Sequence, residues 1–180
     1  LQIAERIQSG EIHVGSVIKV PKWVWILPPV AHHAQDPEVL IGEMLPSNVF
    51  TAGMAIVECN LRSGAVYEKT IKCLKQKCES KQRAIRQLAI SILRQIEGDY
   101  ANRTFFELLE SESLKENCEF DHIRKIVLVE VARRKIPNAR DIIYTHLNWC
   151  SSTNLDWVFE ESHAEGQPKP GLHRKRKPSA

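Results

Sequence analysis

No G-x-S-x-G elbow, no phosphate-cradling G-x-x-x-x-G-K-[ST] loop and no G-x-G-x-x-G fingerprint occurs in this sequence of 180 residues. The short signatures of serine hydrolases, P-loop enzymes and dinucleotide-binding enzymes are therefore missing. Long apolar runs are missing as well. The longest nearly uncharged stretch, VWILPPVAHHAQ, is short and broken by prolines, so no segment is predicted to span a bilayer and no membrane partner is expected. The start, LQIAERIQSGE, is amphipathic and charged and lacks the basic-then-apolar order of a signal peptide. Because it opens on Leu1 rather than methionine, the chain reads as a piece of something longer.

Cysteine is sparse and irregular. Five residues, an odd number without regular spacing, make no disulfide framework, and a reducing compartment is expected. Eight glycines and nine prolines are too few for a low-complexity chain. A net charge of +3 is mild, so its distribution matters more than its sum. With 43% hydrophobic residues, the chain can bury one good core. One globular domain is expected over 1–162, and a basic tail over 163–180 in which apolar residues nearly vanish and disorder is expected.

LQIAERIQSG reads as the end of a helix, with Ile3 and Ile7 a turn apart and Gly10 as stop. EIHVGSVIKVPKWVWILPPV then reads as strands, dense in Val17, Ile18, Val20, Trp23, Val24, Trp25 and Ile26 and punctuated by Pro21, Pro28 and Pro29. Pro21 marks an edge strand or a break between two. After the loop AHHAQDPE and the short apolar VLIGEML, a stronger strand is expected over VFTAGMAIVECNL.

From Val66 to Glu97, Ile71, Leu74, Cys78, Ile85, Leu88, Ile92 and Ile96 recur at three- and four-residue spacing. They predict one long amphipathic helix, or two meeting near Ser80, ended by Gly98. A helix capped by Asn102 or Thr104 follows through FFELLESESL. HIRKIVLVEVARRKI is ambiguous between strand and helix, and Pro137 opens a last helix, PNARDIIYTHLNWC. No internal repeat is evident. Strands near the start and helices after them predict an α+β fold, with a small antiparallel or mixed sheet packed on the long helix.

Chemistry is expected first from charge. Between Lys69 and Arg94 stand eight Lys or Arg against one acid, Glu79. Lys69, Lys72, Arg83 and Arg86 fall on one stripe, roughly 25 Å long at the helical rise of about 1.5 Å per residue. Such a stripe suits a phosphate backbone, since each contact releases counterions. In the tail, HRKRKP holds Arg174, Lys175, Arg176 and Lys177 in sequence, a cluster that suits an import receptor or a nucleic acid. Lysine on a solvated helix face is the plain alternative.

The span Ala55 to Lys72, read as strand, Glu58, turn and helix with Lys72 on it, resembles the layout of PD-(D/E)xK metal-dependent nucleases. His32 and His33 precede it, as a histidine ligand does in some of those enzymes. The resemblance implies Glu58 as a ligand for Mg²⁺ or Mn²⁺ and Lys72 acting on phosphate or water. It departs from the family where LPSNVF holds Ser47 and Asn48 in place of a Pro-Asp pair, leaving Asp36 and Glu43 as the other acids.

A zinc site has weaker grounds. Cys118 with His122, and His146 with Cys150, are each four residues apart and make a tetrad if the fold joins them. Cys73 and Cys78, five apart on a helix, diverge. Trp23 and Trp25 on one strand face suggest either a stacking platform or core, with core expected for at least one. The expected function is nucleic-acid binding, RNA for preference, by a scaffold domain that needs no cofactor. Self-association or a protein partner is the other expectation, with a nuclear or nucleo-cytoplasmic location.

Overall fold

A computed structural model describes residues 5–7, 9–19, 21–111, 121–134, 136, 138, 139 and 141–143. Its elements are α1 (Val14–Ile18), a 3-10 segment (Pro21–Ile26), α2 (Leu27–His32), α3 (Pro37–Met44), α4 (Val49–Glu58), α5 (Ala65–Cys78), α6 (Arg83–Leu93), α7 (Asp99–Glu110) and α8 (Asp121–Arg133). Every regular element among the described residues is helical. The expected α+β fold is thereby corrected to an all-helical one.

The corrections have local causes. In 14–32 the prolines open helical turns instead of breaking strands: Pro21 starts the 3-10 segment and Pro28 lies in the first turn of α2. Proline's fixed φ suits those positions, where its missing N–H is not needed. Asn48, with an extended backbone, accepts from the amides of Phe50 and Thr51 at 3.0 and 3.2 Å and starts α4 where a strand is expected. This helix is apolar nearly all round because α2, α3, α5 and α6 all pack on it. A helix covered on several sides has no polar stripe to betray its period. Gly53 brings it close to α5 and α6, since a Cβ there would lie 2.8 Å from Ile92 Cγ2 and 3.0 Å from Leu74 Cδ1.

The ambiguous KIVLVEV is helical within α8, with Val127, Leu128 and Val131 buried. The stretch 66–97 is two helices parted at Ser80, where the Ser80 hydroxyl accepts from the Gln82 amide. Gly98, expected to end a helix, is the N-cap of α7. Helix α7 accordingly begins at Asp99, ahead of both expected caps, and Thr104 donates its hydroxyl to the Tyr100 carbonyl at 2.9 Å inside the helix. Pro137 and the tail 163–180 lie outside the described residues.

The chain also repeats itself. Asn48 and Gln82 cap α4 and α6; Gly64 and Gly98 cap α5 and α7, each 34 residues on from its counterpart, the separation at which Ala101 meets Tyr67. Gly64 has φ 113° and ψ 160°, and Gly98 has φ 116° and ψ 163°. Thr70 bonds the Val66 carbonyl at 2.8 Å just as Thr104 bonds Tyr100. Buried residues coincide at Ala55 and Ala89, Ile56 and Ile90, Ile71 and Phe105, and Leu74 and Leu108. The helices that pack substantially are one or two apart in the chain: α5 lies on α4, α6 and α7, and α7 lies on α5 and α8, whereas α6 and α7 touch each other little. The successive pairs α4–α5 and α6–α7, hairpins by connectivity, are stacked side by side through α5. That neighbour-only connectivity is the arrangement of an α-solenoid.

Tyr67, Phe105, Ile56, Leu74 and Leu93 are fully buried in the core that the stacked helices share. At the second hairpin the packing reaches its tightest point. A Cβ on Gly98 would lie 2.4 Å from the Arg62 carbonyl oxygen and 2.5 Å from the Tyr67 hydroxyl, in a backbone conformation that L-residues disfavour. Gly98→Ala is expected to cost about 2 kcal/mol or more, read as a lowered midpoint in urea at unchanged slope. An unchanged midpoint would refute this account of the turn.

Candidate nucleic-acid interface

Helix α5 buries Tyr67, Ile71, Leu74 and Cys78, spaced four, three and four apart, which turns Lys69 and Lys72 to solvent. Arg83 is exposed as the first residue of α6. Among the described residues none of these three cations has an ion-pair partner. Lys75, on the same helix, differs: its ammonium lies 2.7 Å from Glu107 on α7 and ties the two hairpins together.

Arg86 leaves the expected stripe. It is buried, 4% exposed, and donates at 2.9 Å to the carbonyls of both Ser80 and Lys81. It thereby braces the turn between α5 and α6, bonding two carbonyls that lie beyond the end of α5. Because α6 folds back on α5 at that turn, the stripe is not a continuous 25 Å line but two short exposed patches.

A second basic cluster, not expected from the sequence, surrounds Glu130. This carboxylate on α8 has 1% side-chain exposure and takes three arginines: Arg94 at 2.7 Å, Arg133 at 2.8 Å and Arg134 at 3.5 Å. Burial alone pushes its carboxyl up, but hydrogen bonds from Arg133 and Arg94 and their positive charges outweigh that, and the net direction is down. Arg134 continues into the turn after α6, donating to the carbonyls of Arg94 and Ile96 at 2.9 and 2.8 Å and to Asn102 Oδ1 at 2.9 Å. Its guanidinium lies over the Phe105 ring, 4.6 Å from the centroid.

Above this network opens a cleft of about 530 Å³ lined by Arg62, Glu97, Asp99, Asn102, Arg133 and Arg134. Arg62 bonds Glu97 across it at 2.7 Å. Its lining has no histidine, cysteine or hydroxyl side chain, and its guanidiniums are already bonded to protein oxygens. It is a capping network with an open side rather than a nucleophilic site. The sequence signal for it was Glu130, a lone acid inside KIVLVEV, followed at once by ARRK.

The metal expectations fare differently from one another. Glu58 is exposed and ends helix α4, so the strand on which the nuclease-like layout depends is replaced by a helix. Asp36 caps α3 by accepting from the Val39 amide at 3.3 Å, and Glu43 is exposed on α3. The rings of His32 and His33 stand edge to face, 5.1 Å apart, at the end of α2. Among the described residues no three His, Cys, Asp or Glu groups gather where a metal ion would sit. Of the zinc tetrad, His122 is exposed in α8, while Cys118, His146 and Cys150 lie outside the described residues, as do Arg174, Lys175, Arg176 and Lys177.

Burial, then the charge of Glu58, pushes the Cys59 thiol up to about 11; burial and then Glu79 push Cys78 up to about 12. Neither is a thiolate near neutrality. Trp25 is 65% exposed beside a 37% exposed Ile26, so this tryptophan is not core. No helix among the described residues is long and apolar enough to cross a membrane. Compared with protein-family models, curated proteins and solved structures, the chain gives no match.

Removing the Glu130 charge strands three guanidiniums at a buried seam. Glu130→Gln is expected to destabilise by about 3 kcal/mol, the low end for a broken buried pair because Arg94 and Arg133 are half solvated. The depressed pKa gives the pH sign: this contribution is complete above the ordinary carboxylate range and is lost as pH falls through the lower folded value. Urea midpoints of both proteins should therefore converge on acidification. Midpoints that stay equally separated down to the acid limit would contradict the assignment.

Proposed function

We propose that this helical domain is a non-enzymatic nucleic-acid-binding and scaffold module, with RNA as the preferred ligand and Lys69, Lys72 and Arg83 as phosphate contacts. The observation that carries the reading is the division of labour among its cations. Arg62, Lys75, Arg94, Arg133 and Arg134 pair with carboxylates, whereas Lys69, Lys72 and Arg83 face solvent without a carboxylate against them. Unneutralised, exposed cations retain the field that attracts a polyanion. Stacked hairpins offer the extended surface that such a ligand needs. Exposed Trp25 and Ile26 mark a second patch suited to a protein contact, in keeping with a scaffold.

The basic cluster Arg174 to Lys177 adds a contact for nucleic acid or an import receptor, and with it a nuclear or nucleo-cytoplasmic location. Neutralising those four residues should reduce nuclear accumulation of a reporter fusion. A fusion that concentrates in nuclei as before would remove the import role.

Binding of mixed-sequence RNA should weaken with salt. With three phosphate contacts on a single strand, the log–log slope against salt is expected near about −2 for the domain without the tail. Fluorescence anisotropy over a potassium chloride series measures it. Salt-indifferent binding, or none at low ionic strength, would sink the proposal.

A further inference from the structure

From the repeat we infer that the polyanion path runs across the stacked hairpins, from Lys69 on α5 to Arg103 on α7, rather than along α5 alone. This rests on the nucleic-acid reading above and adds a binding residue to it. Arg103 stands in the second hairpin where Lys69 stands in the first: each is the fifth residue of its helix, counted from Ala65 and Asp99 after the matching Gly64 and Gly98 caps. The capping glycines share one backbone conformation, and the buried residues that follow, Thr70 with Thr104 and Ile71 with Phe105, coincide. Equal register from equal caps directs both cations to the same side of their helices.

Helices α5 and α7 pack on each other, and the 2.7 Å bond from Lys75 to Glu107 spans them farther along. Packed helices lie roughly 8–10 Å apart, so the backbones at Lys69 and Arg103 are separated by about that distance. Lys72 is displaced from Lys69 by three residues, roughly 4.5 Å of helical rise. The three cations thus form a patch that widens across the hairpin seam. Arg103 is exposed, and neither Asp99 nor Glu107, the carboxylates one turn to either side on its own helix, forms an ion pair with it. Glu107 is already engaged by Lys75. Glu68 is exposed next to Lys69 but no ion pair joins the two, so neither Lys69 nor Arg103 is held by a carboxylate.

The test is anisotropy of a labelled 20-nucleotide mixed-sequence RNA with the full chain, in a salt series, on Lys69→Gln, Arg103→Gln, Arg103→Lys and the Lys69→Gln/Arg103→Gln double variant. Arg6→Gln, remote on the chain and paired with Glu11, controls for net charge. Each single loss at 69 or 103 should flatten the salt slope by about 0.7 and weaken binding on the order of fivefold at 0.1 M salt. The double variant should lose both increments, Arg103→Lys should bind like the parent, and Arg6→Gln should change the slope little. Parent-like binding and slope in Arg103→Gln, with Lys69→Gln impaired, overturns the cross-hairpin path and leaves the nucleic-acid reading standing. Absence of RNA binding by the parent overturns both.

Discussion

The turn from Arg94 to Ala101 is held from two sides, and the stacking of the hairpins depends on that grip. From α5, the Tyr67 hydroxyl donates to the Glu97 carbonyl at 2.7 Å and accepts from the Ala101 amide at 3.3 Å. From α8, Arg134 takes the carbonyls of Arg94 and Ile96, and Glu130 takes the Arg94 side chain. Gly98 sits between the two clamps, where no side chain fits. These bonds satisfy carbonyls of the turn that follows α6 and an amide in the first turn of α7, groups that would otherwise be costly to bury. One turn therefore couples three successive helical units. In a stack whose elements touch only their neighbours, such a joint governs whether adjacent units fold together.

Arginine serves as mortar throughout. Arg86 and Arg124 are each the fourth residue of their helices, α6 and α8, and each is buried, 4% and 3% exposed. Arg86 grips the carbonyls of the turn before its own helix, and Arg134 likewise grips carbonyls of the turn after α6. A planar fork with five donors is suited to several backbone oxygens at once, which an ammonium is not. Lysines 69, 72, 77 and 81 remain outside. Charge that looks uniform along the sequence thus separates, among the described residues, into a few internal arginines (Arg86, Arg124 and the largely buried Arg134) and an exposed set of both lysines and arginines.

The amphipathic helices were legible because their polar faces are wet. In α5 the three- and four-residue spacing survives intact, and the break at Ser80 shows as one weak turn. In α6 the buried face is shifted: Leu88 is 42% exposed and Ile85 half-buried, while Ala89, Ile90, Ile92 and Leu93 are buried. Helix α4 was not legible as a helix: neighbours on several sides removed its polar face, and Val49, Ile56 and Val57 then weighed as β-formers. The N-terminal segment failed for a related reason, since Val17, Ile18 and Trp25 carry β preference while the prolines start helical turns. The repeat escaped notice because it keeps shape rather than residue identity. Gly64 and Gly98, Thr70 and Thr104 match, but Tyr67 corresponds to Ala101 and Lys72 to Phe106. Of the candidate site, the exposed lysines followed from helical spacing, whereas the burial of Arg86 followed from a turn whose geometry no spacing encodes.

These two observations bear on each other. A binding surface made of side chains on successive hairpins is only as well aligned as the joint between those hairpins. Lys69 and Arg103 keep their register because Tyr67, two residues before Lys69, and Ala101, two residues before Arg103, are bonded to one another. The same contact that stabilises the stack sets the spacing of the cations it presents. Loosening the turn at Gly98 should therefore affect binding through geometry even where the charges are unchanged, whereas removing a cation acts through charge with the stack intact. In a solenoid of this kind, stability at the seam and recognition on the outer face are two consequences of one packing register.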